Sequence, residues 1–306
     1  MPIIEDALNI DPMITQQPSI RDKEVLISAM NYSVKAGGKR LRMLLLLMVA
    51  DLYGIETRKI LPLACGIEYL HTSSLIFDDL PAQDNSDLRR GRPTLHKTTI
   101  NDDIPETLCE GRAQLAAISL IAMSMSVIND GLIQNGFSAG SITRIFGEIS
   151  QLMHNLCIGQ MMDLRAAHVG ITESNGQVEK LDQIAWLKTG KTIEAVLVTP
   201  VILSDRRLAD QNRDIARLRE LARLIGILFQ MRDDLLDVEA TDTIGKPTAL
   251  DVKNNTVTYV SVLGVDGTCH RLQQYLSQTL QLVDECWPTD AETVKDVVRH
   301  IVSRKF

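Results

Sequence analysis

The segment HTSSLIFDDLPAQDNSDLRRGRPTLH, residues 71–96, places acidic and basic side chains close together behind an apolar helical run. His71, Ser74 and Asp78 are three and four residues apart, so on a helix they share one face. These charged side chains either pair with each other as surface salt bridges or bind an anionic ligand that needs metal ions to be held. The other motifs of the chain decide between these two interpretations.

The end of this helix is predicted from its proline. Pro81 disrupts helical continuation, so we expect the helix to end after Asp78 and Asp79. Asp84 then need not follow helical spacing and is free to turn back toward the pair. Such a kinked end presents three carboxylates to one metal centre.

The chain as a whole has the composition of a helical protein. Its 306 residues are 45% hydrophobic and only 4% aromatic, and alternating strand patterns are scarce. We expect an all-α fold in a single domain over residues 1–306, because no linker divides the chain. Helices are predicted at 21–35, 41–53, 59–80, 104–129, 141–168, 177–203 and 210–238, with two or more after Cys269.

Charge and cysteine usage exclude several classes of protein. A net charge of −7 argues against a nucleic-acid partner, which requires basic patches to displace counterions. Five cysteines without a Cys-x-x-Cys pair predict neither disulfides nor a zinc site, and a reducing cytoplasm fits them. The apolar run Met43–Ala50 is too short to span a bilayer, so no transmembrane segment is predicted.

A second acidic cluster lies in FQMRDDLLDVEA, residues 229–240. Asp233, Asp234 and Asp237 are spaced so that all three carboxylates project from one side of a helix. Like charges on one face are unfavourable unless a cation lies among them. Oxygen ligands of this kind suit Mg²⁺, which bridges carboxylates to substrate phosphates.

Two basic pairs complement the acids. Arg89 and Arg90 are adjacent and diverge, so they are able to serve two different anions. Lys39 and Arg42 follow two glycines at a predicted helix start, where phosphate is favoured. A surface salt bridge is the alternative for each pair alone, but together with the acids they describe a pocket for two diphosphates.

Six motifs, in their order along the chain, resemble those of the trans-isoprenyl diphosphate synthases of the polyprenyl synthetase family. The resemblance is strongest to the short-chain geranylgeranyl and farnesyl diphosphate synthases. The resemblance implies an all-helical bundle around a deep central cavity, the isoprenoid synthase fold, and a homodimer. The motifs are GGKRLR (37–42), the segment 71–96, GQMMDL (159–164), LKTGK (187–191), FQMRDDLLDV (229–238) and IGKP (244–247).

The resemblance also implies the roles of the site residues. Both aspartate clusters would hold Mg²⁺, three ions when substrate is bound, on the diphosphate of an allylic substrate. Asp78, Asp79, Asp84, Asp233, Asp234, Asp237 and Lys188 are the expected catalytic and metal-binding residues. Arg89, Lys188, Thr189, Gln230 and Lys246 match positions that hold the allylic diphosphate, and Lys39, Arg42, His71 and Arg90 match those that hold isopentenyl diphosphate.

The expected reaction follows from charge. The allylic C–O bond ionises, the isopentenyl double bond attacks the carbocation, and a proton is lost to the released diphosphate. Gln230 and the pair Gln160 and Asp163, which are one helical turn apart, would orient the diphosphate or stabilise cationic charge nearby. A buried helix-to-helix hydrogen bond is an equal alternative for Gln160.

Product length is predicted from the residues one helical turn before Asp78. These are Ser73 and Ser74, where farnesyl-forming relatives commonly carry an aromatic side chain at the Ser73 position. Small side chains let the product pass deeper, which favours geranylgeranyl diphosphate (C20) over farnesyl diphosphate (C15). Met125, Phe146 or Met153 on other helices are alternative limits to its length.

Three departures from the family pattern leave other functions open. Arg112 is inserted in EGRAQL (110–115), and lysines common in relatives are missing from ALD (249–251) and TVTYV (256–260), where Lys253 is a possible substitute. The alternatives are a weakly active or regulatory subunit of a prenyl synthase, and a terpene cyclase. Intact aspartate clusters argue against the first, and the isopentenyl-site residues argue against the second.

Overall fold

The structure is a computed structural model that describes residues 2–10, 21–99, 104–170, 176–244 and 257–304. The described residues are almost entirely helical, with one antiparallel hairpin of two-residue strands, so the all-α prediction is confirmed. Contacts group the chain into unit 1, residues 1–47 and 55–142, and unit 2, residues 48–54 and 143–306. A single domain around a deep central cavity stays a prediction.

Unit 1 is organised by two long helices that pack closely. The Cβ that an alanine would add at Gly66 meets Ile128 at 2.4 Å, and one at Gly131 meets Pro62 at 2.2 Å. Glycine at both positions therefore lets the two helices approach. The elements are α1 (Pro2–Ala7), α2 (Arg21–Val34), α3 (Leu41–Leu52, whose last residues belong to unit 2), α4 (Thr57–Asp79), β1 (Leu88–Arg89), β2 (Arg92–Pro93), short 3₁₀ turns at Leu95–Lys97 and Glu106–Leu108, and α5 (Cys109–Gln134).

Unit 2 is built around a helix that is buried on all sides. Every residue from Thr192 to Leu203 is buried, in keeping with its almost unbroken apolar sequence. The elements are α6 (Ala139–Val169), α7 (Gln177–Ala185), a π-helical turn (Trp186–Gly190), α8 (Lys191–Leu203), α9 (Leu208–Ile244), α10 (Tyr259–Cys286) and α11 (Ala291–Ser303).

Most predicted helices are confirmed within a few residues, and the differences have local causes. The helix predicted over 177–203 contains the π turn, and α10 is kinked at Gly264, which has a φ of 72°. Helix α5 starts at Cys109 rather than at residue 104, after a 3₁₀ turn. The sequence interpretation missed α1 and the hairpin because six-residue and two-residue elements carry too few residues for a periodic signal.

Within the described ranges, two helices are long and apolar enough to cross a bilayer by length and composition alone. One is α4, in which 67% of the most apolar window is buried, and the other runs from Glu106 to Gln134. The core helices of water-soluble proteins pass the same test, and α4 packs against α5 within unit 1. These helices are therefore only a weak indication of a membrane span.

Candidate active site

The first aspartate cluster forms where α4 ends in unit 1. Leu80 leaves the helix with extended backbone, φ −63° and ψ 154°, just before Pro81. The chain then turns back, and the Asp84 backbone N–H donates to the Asp78 carbonyl at 2.9 Å. The predicted return of Asp84 to the helix end is confirmed.

Within this cluster, Asp79 is held by Arg89. Asp79 is 5% exposed, and the Arg89 Nε lies 2.8 and 2.9 Å from its two carboxylate oxygens. Burial raises the pKa of the Asp79 carboxyl even though the Arg89 guanidinium opposes this shift. The salt-bridge alternative that the sequence left open therefore applies to this pair. Asp78 and Asp84, by contrast, are partly exposed.

The β1–β2 hairpin directs Arg89 and Arg90 to different places, as predicted. Arg90, with φ 53°, and Gly91, with φ 73°, form the two-residue turn between Arg89 and Arg92. The Arg90 guanidinium donates to the Gly37 carbonyl, on the segment that precedes α3. The Arg89 guanidinium points to the end of α4, so the hairpin contacts two different parts of unit 1.

The residues expected at the isopentenyl diphosphate site cluster around Arg90 and the start of α3. The Arg42 Nη1 lies 3.1 Å from the His71 Nε2. Burial, reinforced by the charges of Arg42 and Arg90, lowers the pKa of His71 well below its usual range. His71 is therefore neutral near pH 7 and accepts the hydrogen bond from Arg42. Lys39 is exposed immediately before α3.

The sequence interpretation missed Arg40, which lies within the same motif. Arg40 is 3% exposed, has φ 46°, and donates to Glu68 at 2.9 Å and to both carboxylate oxygens of Glu5 at 2.9 and 3.1 Å. A fourth hydrogen bond, of 2.7 Å, reaches the Val34 carbonyl. This buried ion cluster fixes the chain between its two neighbours Lys39 and Arg42. The available signal was Glu68, the one charged residue in the apolar run 60–70.

The second aspartate cluster lies on α9 in unit 2, and two of the donors to its middle member, both among the described residues, are neutral. Asp234 is 3% exposed and accepts from the Gln230 side chain at 2.9 Å and from the Tyr259 backbone N–H at 2.7 Å. Gln230, expected to bind the allylic diphosphate, thus contacts a motif aspartate. Asp233 and Asp237 are partly exposed.

A cation at the end of the chain also reaches this cluster. Arg304 donates to Asp233 at 2.6 Å and to the Phe229 carbonyl at 2.9 Å, and its guanidinium stacks 3.8 Å above the Phe229 ring. Burial lowers the pKa of Arg304, against the opposing charge of Asp233. No local pattern predicts this contact, because 71 residues separate the partners.

Lys188 and Thr189 lie in the π-helical turn of unit 2, a type of distortion that is frequent at functional sites. The Lys188 Nζ is 2.5 Å from the Asp163 carboxylate on α6. Glycine at position 159 lets α6 and the π turn approach closely, because a Cβ there would lie 2.6 Å from the Lys188 backbone nitrogen. Thr189 is buried and Gln160 is half-buried.

The predicted chain-length residues are small and bond only within their own helix. Ser73, 3% exposed, donates to the Leu70 carbonyl at 2.8 Å, and Ser74 donates to the His71 carbonyl at 2.8 Å. Each hydroxyl is satisfied within α4. The alternative length-limiting residues, Met125, Phe146 and Met153, are all half-buried.

The departure at Arg112 has a structural explanation. Its side chain is 4% exposed and donates to the carbonyls of Leu95 at 3.0 Å and Thr99 at 3.1 Å, and also to that of Thr98. Arg112 therefore fixes the 3₁₀ turn that follows the hairpin. Lys246, Lys253 and the segment 249–251 lie outside the described residues.

The donor chemistry of both clusters suits Mg²⁺. Each offers two partly exposed carboxylates, Asp78 with Asp84 and Asp233 with Asp237, and Mg²⁺ is held by one or two carboxylates together with substrate phosphates and water. Among the described residues, no three or more acidic, histidine or cysteine side chains lie close enough together to hold a metal ion without substrate phosphates and water.

Comparison with known proteins identifies the chain. The family model described as "Polyprenyl synthetase" matches residues 23–300. The chain belongs to the polyprenyl synthetase family. It is 35% identical to a farnesyl diphosphate synthase of Bacillus subtilis (strain 168), over 92% of this chain and 88% of that protein. It is 34% identical to geranylgeranyl pyrophosphate synthase 3, chloroplastic, of Arabidopsis thaliana, over 86% and 70% of the two chains.

The solved structures agree with this membership. A geranyltransferase from Helicobacter pylori, complexed with magnesium and isoprenyl diphosphate, superposes with a TM-score of 0.78 at 24% identity, over 99% of this chain and 95% of that one. The isoprenoid synthase fold is thereby confirmed. The chain is a trans-isoprenyl diphosphate synthase, a prenyltransferase that joins isopentenyl and allylic diphosphates.

Proposed function

We propose that this prenyl synthase makes geranylgeranyl diphosphate (C20). The observation that carries the proposal is Ser73, a small buried side chain one helical turn before the first aspartate cluster. A helical turn rises about 5.4 Å, close to the length of one isoprene unit, so an aromatic side chain at this level would remove about that much space. The named relatives include both farnesyl and geranylgeranyl synthases, so they leave the length open.

The side chains of both units have defined tasks in this proposal. Arg89 and Lys188 bind the allylic diphosphate, while Lys39, Arg42 and Arg90 bind isopentenyl diphosphate. Neutral His71 accepts from Arg42 and orients its guanidinium. Mg²⁺, in three ions when substrate is bound, supplies charge neutralisation to the leaving diphosphate. Asp78, Asp84, Asp233 and Asp237 would hold these ions, and Asp79 and Asp234 would orient the clusters. Lys246 keeps the role that the family resemblance implies, which is to bind the allylic diphosphate.

The proposal includes a homodimer. The exposed side chains Leu115, Ile118 and Ile133 lie at helical spacing on one face of α5, 55–59% exposed. Exposed apolar side chains along one helix face are typical of a subunit interface. Light scattering should give a mass twice the chain's 34.0 kDa, and a 34.0 kDa particle would contradict the dimer.

A cytoplasmic location is also part of the proposal. All five cysteines are free thiols, as is usual in a reducing compartment.

One assay tests the product. Purified protein is incubated with isopentenyl diphosphate, Mg²⁺ and each allylic diphosphate in turn, and the products are separated by chromatography. C20 is expected from wild type and C15 from Ser73→Phe, while Ser73→Ala serves as the matched control and keeps C20. A C15 product from wild type would make the chain a farnesyl diphosphate synthase, and an unchanged product from Ser73→Phe would remove Ser73 from the argument.

A further inference from the structure

The backbone N–H that holds Asp234 belongs to the first turn of α10. Tyr259 is the first residue of this helix, where a backbone N–H has no acceptor inside the helix. Thr258 caps the helix, and its hydroxyl accepts from the Ser261 N–H at 3.1 Å. The Asp234 carboxylate accepts a hydrogen bond from the Tyr259 N–H at 2.7 Å. The position of Asp234 therefore depends on where α10 begins.

The side chain of the same tyrosine is anchored at its other end. Tyr259 is 0% exposed, and its hydroxyl donates to Asp182 on α7 at 2.7 Å. Asp182 also accepts from the Tyr275 hydroxyl at 2.8 Å and from Arg271 at 3.3 Å. Burial, followed by the nearby Asp182 charge, raises the pKa of the Tyr259 phenol, which stays a donor. Tyr259 is thus fixed at both its phenol and its backbone.

We infer that Asp182 and Tyr259 are positioning residues for the second aspartate cluster, an inference that rests on the proposed function. Asp182 fixes the phenol of Tyr259, Tyr259 fixes the start of α10, and its N–H fixes the Asp234 carboxylate. Asp234 in turn sets the orientation of the α9 turn that carries Asp233 and Asp237. Partners that orient metal ligands in this indirect way change metal affinity about 10–100-fold when they are removed.

Metal binding without turnover tests this inference. Mn²⁺ binding to wild type, Tyr259→Phe and Asp182→Asn is measured by electron paramagnetic resonance in the presence of inorganic pyrophosphate. Both variants should bind Mn²⁺ about tenfold more weakly, and at saturating Mg²⁺ they should recover most of kcat. Asp182→Glu keeps an acceptor for the phenol and should rescue Mn²⁺ affinity.

The chain offers a matched control for the loss of a tyrosine hydroxyl. Tyr53 donates to Asp214 at 3.3 Å within unit 2, a tyrosine–aspartate pair that does not contact the aspartate clusters. Tyr53→Phe should lower the Tm and leave Mn²⁺ affinity unchanged. Equal Mn²⁺ affinity of Tyr259→Phe and wild type, or an equal loss in Tyr53→Phe, would overturn the inference.

Two further outcomes keep the test decisive. If Tyr259→Phe does not fold, Asp182→Asn and Tyr275→Phe are tested in its place, with a weaker Mn²⁺ affinity expected from each, and unchanged affinity in both would overturn the inference. If wild type elongates its substrate and the variants bind Mn²⁺ with wild-type affinity, only the inference is contradicted. A wild type that elongates no allylic diphosphate defeats the proposed function itself.

Discussion

The two aspartate clusters share a pattern but hold their buried member by different chemistry. In each, the second aspartate of the adjacent pair is buried, and the other two members are partly exposed. Asp79 is held by the charged guanidinium of Arg89, from a hairpin ten residues away. Asp234 is held by an amide side chain and by the first turn of another helix. Among the contacts between described residues, the same sequence pattern is thus supported by an ion pair in unit 1 and by two neutral donors in unit 2.

The largest expected effect comes from removing the donor of each buried aspartate. Arg89→Gln leaves the Asp79 carboxylate buried without its cation and should cost about 2 kcal/mol of unfolding free energy, discounted because a third of the Arg89 side chain is exposed. Gln230→Met removes one neutral donor and should cost about 1 kcal/mol. Urea unfolding at pH 8 measures both.

The pH dependence of the Arg89→Gln deficit sharpens the contrast. Without the guanidinium, the already raised pKa of Asp79 rises further, so the folded state binds a proton more tightly than the unfolded state. Stability is therefore regained as the pH falls, and the deficit should shrink from pH 8 to pH 5. Equal, pH-independent deficits in Arg89→Gln and Gln230→Met would show that the two clusters are held alike.

The cationic surroundings of the first cluster predict a second pH effect. Because the pKa of His71 is lowered in the folded state, the unfolded chain takes up a proton below about pH 6.5 and the folded chain does not. Wild type should lose about 1 kcal/mol of unfolding free energy per pH unit below that value, until the folded-state pKa is reached. His71→Asn should lack this contribution in urea unfolding at pH 6.5 and 5.5. The exposed His270→Asn is the control, and an unchanged slope in His71→Asn would contradict the prediction.

The smallest expected effect concerns Arg304, which forms an ion pair with Asp233, a partly exposed aspartate of the second cluster. Mg²⁺ must displace its guanidinium from Asp233, so Arg304→Gln should lower the half-saturating Mg²⁺ concentration roughly threefold, a small effect because the Asp233 side chain is 44% exposed and solvent screens the pair. Lys295→Gln breaks the Lys295–Asp284 ion pair outside both clusters and is the control. A Mg²⁺ requirement that stays the same or rises in Arg304→Gln would give Arg304 another role.

The sequence predicts what depends on local spacing. The end of α4 before Pro81, the return of Asp84, and the divergence of Arg89 and Arg90 are all confirmed by the structure. Helix periodicity and proline and glycine signals act over a few residues, so they are visible without a fold.

Partners distant in sequence were missed for the converse reason. Arg40 meets Glu68 across 28 residues, and Asp234 meets Tyr259 across 25, through contacts that exist only after helices pack. Residue type was also ambiguous, since a buried arginine and a phosphate-binding arginine look alike in GGKRLR. The pairing of Arg89 with Asp79 shows that a side chain expected to bind substrate also has a partner within the protein.

Anomalous diffraction from crystals soaked with Mn²⁺ and inorganic pyrophosphate tests the division of labour between buried and exposed aspartates most directly. Mn²⁺ is expected about 2.1 Å from carboxylate oxygens of Asp78 or Asp84 and of Asp233 or Asp237, with Asp79 still bound to Arg89 and Asp234 to the Tyr259 N–H. Mn²⁺ coordinated directly by Asp79 or Asp234 would contradict the prediction.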